Sequence, residues 1–284
     1  MPSESNKALQ LFTNLKHYLY LVKINELPSK SIYDSEIFKG KKNKVEINNN
    51  FILSSKSKFL MSSRINEFNS MKNYLSSYNL IFFNHNKRDQ YMKKYWIDKE
   101  IYKIYSKSKF QQMKADIFRY CFLFDNGGYW LDIKSSIFFN ISEFEVTKPE
   151  ALLLLSPHNL EEKEISKELL PYTESLNNRR LTNWFIGAKK DSPFINNLIE
   201  NIIKESINYK NKKFLEPKEA ILNLTGPKQL TRTFLSYEKK ENITVVDENQ
   251  LNIHHESKFG RRFYLFENVF FEHYSKSRNK IILI

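Results

Sequence analysis

The sequence predicts an α/β protein with a mixed central sheet flanked by helices. Segments with strand character alternate with segments of helical periodicity along most of the chain, the order that builds parallel or mixed sheets. Among the 284 residues, 41% are hydrophobic and 15% aromatic, enough to bury a sizeable core and to exclude wholesale disorder. No internal repeat interrupts the alternation. One domain is therefore expected over residues 46–284, after an N-terminal helical extension and linker over residues 1–45.

In the extension, Leu9, Phe12, Leu15, Leu19 and Val22 recur at helical spacing, and Lys7, Lys16, His17 and Lys23 share the segment. Two readings fit: a basic amphipathic helix lying on a membrane surface, or a helix packed on the main domain. "ELPSKS" and "FKGKKNKVEINNN" supply the Pro, Gly and charge run of a linker. "FILSSKSKF" then reads as a strand entering a loop, "INEFNSMKNYLSSY" as a helix and "YNLIFFNHN" as a second strand. One or two basic helices follow in "KRDQYMKKYWIDKEIYKIYSKSK".

Further along, "EALLLLSP" is a buried strand and "NNRRLTNWFIGAKK" contains another. In "SPFINNLIENIIKESI", Ser192 is the expected N-cap and Pro193 the first residue of an amphipathic helix. "ILNLTGPKQLTRTFLSY" places a turn at Gly226-Pro227 before a helix, and "NITVVD" and "FYLFENVFFEHY" read as late strands. Ligands of such sheets sit at the carboxyl ends of the strands.

The formal charge of +13 points to an anionic partner: nucleotide phosphates, nucleic acid or an anionic membrane surface. The chain is rich in Lys, Asn and Ile throughout, so part of that excess is general composition. The single cysteine, Cys121, excludes an internal disulfide and reads as a buried thiol within "RYCFLF". The longest apolar runs, such as "YLYLV", have five residues, whereas a bilayer-spanning helix needs ~20. "MPSESNKALQ" lacks the basic start and apolar stretch of a signal peptide. The expectation is a soluble cytoplasmic protein, at most peripheral to the inner face of the membrane.

The most informative stretch is "KADIFRYCFLFDNGGYWLDIKSS", Lys114 to Ser136. It reads as helix, glycine turn and strand. Met113, Ile117, Phe118, Tyr120, Cys121, Phe122, Leu123 and Phe124 nearly encircle the helix, which predicts burial on most sides. Yet Asp116 and Arg119 stand in that helix, three apart and so on one face, and Asp132 stands in the apolar strand. Burying an unpaired charge costs several kcal/mol or more, so the pair is either an internal salt bridge or faces a polar site. Two readings fit Asp132: a carboxylate at the exit of a central strand, able to hold a metal–diphosphate complex, or an ordinary turn-facing Asp.

This stretch resembles the signature of glycosyltransferase family 32. The family pattern runs roughly A-D-x-x-R-Y-x-x-L-x-x-x-G-G-x-Y-x-D-x-D, and Ala115, Asp116, Arg119, Tyr120, Leu123, Gly127, Gly128 and Asp132 fall at corresponding positions. "LTNWFIGAKKDSPFI", "LTGPKQLT" and "FEHYSKSRN" resemble later segments of the family more weakly. The resemblance implies a GT-A fold over residues 46–284 that binds a UDP- or GDP-sugar. By it, Asp116, Arg119 and Asp132 form the catalytic centre; they bind the donor together with Gly128, Lys134 and Asn183. Asp132 and His273 would ligate a divalent cation, usually Mn²⁺ or Mg²⁺.

One departure from the family pattern bears on the chemistry. The second Asp of its DXD sequence is Lys134 here. Either Asp132 holds the cation with help from His273, or Lys134 partly replaces the cation by neutralising phosphate directly. A third alternative has Lys134 pointing away, because residues i and i+2 share a face only in a regular strand. The implied activity moves a hexose or N-acetylhexosamine to a glycan or lipid-linked acceptor with retention of anomeric configuration. A toxin-like effector that glycosylates a protein would share the same core. A rival of another class is a non-catalytic nucleic-acid-binding protein, because "KYWIDKEIYKIYSKSKF" interleaves basic and aromatic residues.

Overall fold

A computed structural model describes residues 50–54, 71, 74–75, 78–133, 135–137, 150–160, 167–250, 253–254 and 277–284. The expected N-terminal helix and linker, most of the "INEFNSMKNYLSSY" helix and the "FYLFENVFFEHY" strand lie outside the described residues.

Six strands form the central sheet: β1 (Asn50–Ser54), β2 (Asn79–Phe83), β3 (Gly128–Leu131), β5 (Ala151–Asn159), β6 (Arg179–Ala188) and β8 (Ile243–Asp247). Ser136–Ile137 is β4 and Lys213–Phe214 is β7. The spatial order is β2-β1-β3-β6-β5-β8. β1 pairs in parallel with β2 and β3, and β5 with β8, whereas β6 runs antiparallel to both its neighbours. The predicted mixed α/β sheet is therefore present.

Runs such as Phe51-Ile52-Leu53 and Leu152-Leu153-Leu154 are apolar at every position because both faces of the sheet are covered. Period-two alternation divides them between two cores. Ile52, Trp130, Leu153 and Ile186 join the side chains of the helices. Phe51, Tyr129, Leu152 and Phe185 pack on the opposite face.

The helices are α1 (His85–Trp96), α2 (Glu100–Lys107), α3 (Gln111–Asn126), α4 (Pro193–Ser206), α5 (Pro217–Leu224) and α6 (Pro227–Ser236). The long basic segment thus divides into two helices. Asn84 caps α1 by accepting from the Lys87 N–H at 2.9 Å. Ser192 caps α4 as its position predicts, accepting from the Ile195 N–H at 3.3 Å, with Pro193 in the first turn. Cys121 is fully buried in α3, and burial pushes its thiol pKa up. Among the described residues no helix is long and apolar enough to cross a membrane.

Candidate active site

The helix–turn–strand unit sets the site by simple lengths. α3 ends at Gly127, whose φ of +66° stops it while its N–H caps the Leu123 carbonyl at 2.8 Å. From Asp116 to that turn the helix climbs roughly 16 Å, at about 1.5 Å per residue. From Gly128 to Asp132 the chain runs back roughly 13 Å, at about 3.3 Å per residue. The first turns of α3 therefore lie beside the carboxyl end of β3. Trp130 and Asp132 share a strand face by alternation, and it is the face that α3 covers.

Arg119 is the centre of what results. Its guanidinium lies 3.0 Å from Asp116 Oδ1 and 3.4 Å from Asp132 Oδ1, and sits 4.6 Å above the Trp130 ring. Its Nη1 donates to the Asn183 carbonyl. Trp130 Nε1 donates to Asp132 Oδ1 at 2.9 Å, so one indole supports the cation with its face and the anion with its edge. The side chain of Asp132 is 27% exposed and that of Arg119 6%, which makes Asp132 the member that meets solvent.

Asn183 reaches this cluster through an irregularity in β6. Leu153 pairs with Ile186 but Leu155 pairs with Leu181, so the register shifts between them. Leu181 and Ile186 both face the helical core although they are five apart, and Trp184 and Phe185 both face the other one. The bulge inverts the alternation and aims Asn183 at α3. There its Nδ2 donates to Asp116 Oδ1 at 3.0 Å and to Tyr120 Oη at 3.3 Å.

Thr225, the residue after α5, closes the cluster from behind. Its hydroxyl donates to Asp116 Oδ2 at 3.1 Å, and Tyr120 Oη donates to its carbonyl at 2.8 Å. Burial raises the Asp116 carboxyl to about 7. Arg119 pulls it down, the Asp132 charge pushes it up again, and the bonds from Thr225 and Asn183 favour the ionised form. Burial also raises the Tyr120 hydroxyl, which stays a neutral donor.

Asp116, Arg119, Asp132 and Asn183 are thus brought together. The internal salt bridge is formed: Arg119 pairs with both Asp116 and Asp132, two carboxylates to one guanidinium, which leaves one negative charge in the ionised cluster. Gly128 is not at the cluster. It lies at the other end of β3, where a Cβ would meet the Asn50 carbonyl oxygen at 2.5 Å, so it serves close strand packing. Lys134 and His273 lie outside the described residues, and the strand ends at Leu131, before position 134.

Asp132 is the cation ligand expected from sequence that the structure describes, and its Oδ1 already accepts from Trp130 and faces Arg119. Among the described residues no group of three or more His, Cys, Asp or Glu side chains is arranged to hold a metal. The described donor set holds an ion-paired guanidinium, with Asp132 as its solvent-facing carboxylate.

Tyr120 and Thr225 are not among the expected site residues, since a Tyr in an apolar helix reads as core, although Tyr120 falls at a position of the family pattern and Thr225 lies in "LTGPKQLT". Helical spacing was the available signal: Asp116, Arg119 and Tyr120 stand at i, i+3 and i+4.

Residues 65–216 match the family described as capsular polysaccharide synthesis protein. No curated protein matches the sequence. Among solved structures the chain is similar to the PaToxG glycosyltransferase, at 12% identity over 93% of this chain and 87% of that one, with a TM-score of 0.46. It is also similar to the glycosyltransferase domain from the YGT toxin. The ligand-free form gives 14% identity over 66% of this chain and 58% of that one, with a TM-score of 0.38. The UDP-bound form gives 15% identity over 73% and 62%, with a TM-score of 0.35.

Proposed function

The chain belongs to the capsular polysaccharide synthesis protein family, and from that premise we propose that it is a glycosyltransferase of GT-A type. It moves a hexose or N-acetylhexosamine from a UDP- or GDP-sugar to a glycan or lipid-linked acceptor, with retention, at the cytoplasmic face of the membrane. The observation that carries this reading is the Arg119 guanidinium fixed between Asp116 and Asp132 at the carboxyl end of a central strand. All three residues and Asn183 lie within the segment that matches the family.

The chemistry follows from that position. The nucleoside diphosphate leaves from C1 of the sugar as an acceptor hydroxyl attacks, through an oxocarbenium-like state. Charge develops on the leaving phosphate, and a pre-oriented guanidinium stabilises it without reorganising. Trp130, Asp116 and the Asn183 carbonyl hold Arg119 in place before the donor arrives. Asp132, the solvent-facing carboxylate, receives the sugar or ribose hydroxyls.

A thermal-shift panel of UDP- and GDP-sugars tests the reading, because ligands that bind the folded chain raise its melting temperature by mass action. One donor sugar stabilising the parent but not the Asp132→Ala variant supports it. No shift with any nucleotide sugar, alongside a shift with single-stranded nucleic acid, overturns it. Assay in a chelator, then with Mn²⁺ or Mg²⁺ restored, separates transfer assisted by a cation on Asp132 and His273 from neutralisation by Arg119 and Lys134 alone.

A further inference from the structure

Three stretches far apart in sequence meet on one surface beside α2. The Lys109 N–H donates to the Ile282 carbonyl at 3.0 Å, and the Ile284 N–H to the Lys107 carbonyl at 3.4 Å. On the other side of the same segment, the Asn211 N–H donates to the Leu283 carbonyl at 2.8 Å. Lys213 pairs with Ile281 and Phe214 with Lys280 in a short antiparallel ladder, β7 with the strand Lys280–Ile281. The pairing brings together Lys107, Lys109, Lys210, Lys212 and Lys213, all exposed, while the exposed Lys280, opposite Phe214, leaves the ladder on its other face. Among the described residues none of these six lysines lies in an ion pair. Arg278 adds to the charge, and Glu216 at the edge subtracts one.

Aliphatic side chains stand in the same surface. Ile207 is 70% exposed and Leu215 68%. The ring pair of this region, Tyr209 and Phe214, is stacked on itself at 5.4 Å and half-buried, so one face of each ring is already covered against a nucleobase. Lysines are compact point charges without the planar fork that reads individual phosphates. Diffuse positive charge around protruding aliphatic groups complements an anionic lipid surface, where lysines meet headgroups and the aliphatics enter the acyl boundary.

We propose that this surface docks the protein on anionic membranes. Its position gives the docking a purpose that rests on the proposed transferase reading. Lys109 stands two residues before α3, and Asp116 follows only about 8 Å along that helix from its first residue. Leu215 stands two residues before α5, whose length of roughly 12 Å ends at Thr225, the donor to Asp116. The first turns of α3 and the whole of α5 therefore tie the basic surface to the ion-paired cluster. Docking holds that cluster within reach of an acceptor carried on a lipid.

The test is flotation of the full chain with vesicles of phosphatidylcholine alone or of equal parts phosphatidylcholine and phosphatidylglycerol. The parent is expected to float only with the anionic vesicles and to be released by salt. Each lysine near such a surface contributes about fivefold in partitioning, so Lys210→Ser/Lys212→Ser/Lys213→Ser is expected to weaken binding about a hundredfold. Ile207→Ser/Leu215→Ser is expected to weaken it several-fold without changing the melting temperature.

Parent-like flotation of the triple-serine variant, or no flotation of the parent, overturns the proposal. So does binding of a single-stranded oligonucleotide that depends on the lysines, with flotation indifferent to Ile207 and Leu215. These readouts need no turnover, so loss of the docking surface is distinguishable from failure of the transferase reading, which the nucleotide-sugar panel addresses.

Discussion

The Arg119 guanidinium lies 4.6 Å from the centre of the Trp130 ring while that indole's Nε1 donates to Asp132 at 2.9 Å, so Trp130 holds both members of one ion pair. Arg119→Lys keeps the charge but loses the planar contact and one of the two carboxylates. Turnover is expected to fall at least ~100-fold, the scale for a lost transition-state donor. The melting temperature falls as well. Trp130→Phe keeps a ring face and loses the edge bond, an effect of about 1 kcal/mol on stability. Nucleotide-release kinetics beside thermal melts check both, and parent-like kinetics in Arg119→Lys would remove Arg119 from the mechanism.

Asp132 is the least buried of the three charged groups, so its loss should separate activity from folding. Asp132→Ala is expected to abolish donor-dependent turnover and to cost about 1 kcal/mol or less of stability, as for a partly exposed pair. Urea midpoints measured beside the activity assay decide it.

Asp116 gives stability a pH dependence of known sign. Its carboxyl rises from 3.8 to about 7 in the folded chain, so folding takes up a proton between those values. Its contribution is most favourable below about pH 4 and declines as pH rises through about 7. Glu248 is also raised to about 7, by burial and then by Asp247, and bends the curve in the same direction. The difference between parent and Asp116→Asn isolates one group from the other. That difference should fall across the window by a few kcal/mol, and a flat difference would count against a buried, shifted carboxyl.

Gly128 has a structural task with a measurable cost. At φ +108° and with the Asn50 carbonyl 2.5 Å from where a Cβ would sit, the neighbour is main chain and cannot swing aside. Gly128→Ala is expected to cost about 3 kcal/mol or more in chemical unfolding, well above an ordinary surface change. An equal midpoint for variant and parent would show that β1 and β3 can separate there without loss.

Much of this architecture is legible in the sequence because it is local. The alternation of strand and helical patterns, the Ser192–Pro193 helix start and the Asn126-Gly127-Gly128 stop are each written in a few neighbouring residues. The convergence of Asp116, Arg119 and Asp132 is legible too, since helix rise and strand rise fix where the arms of one hairpin meet.

Other features are not legible, for a physical reason. Asn183 turns to α3 through a bulge, and a bulge is set by how β5 and β6 register against each other. Thr225 reaches Asp116 only after α5 and α6 pack. Gly128 looks like a ligand-side glycine until Asn50 is seen across from it. Each of these depends on a partner distant in the chain.

The charged part of the cluster is written within one hairpin, whereas Asn183 and Thr225 join Asp116 from 67 and 109 residues away. Closing a short loop loses less chain entropy than closing a long one, so the order of folding follows. Amides of α3 should gain protection in pulse-labelled hydrogen exchange before those of β3 and those around Asn183 and Thr225, because β3 amides are protected only once β1 and β6 pair with that strand. The salt-bridged half then serves as a template on which the distant strand and turn dock.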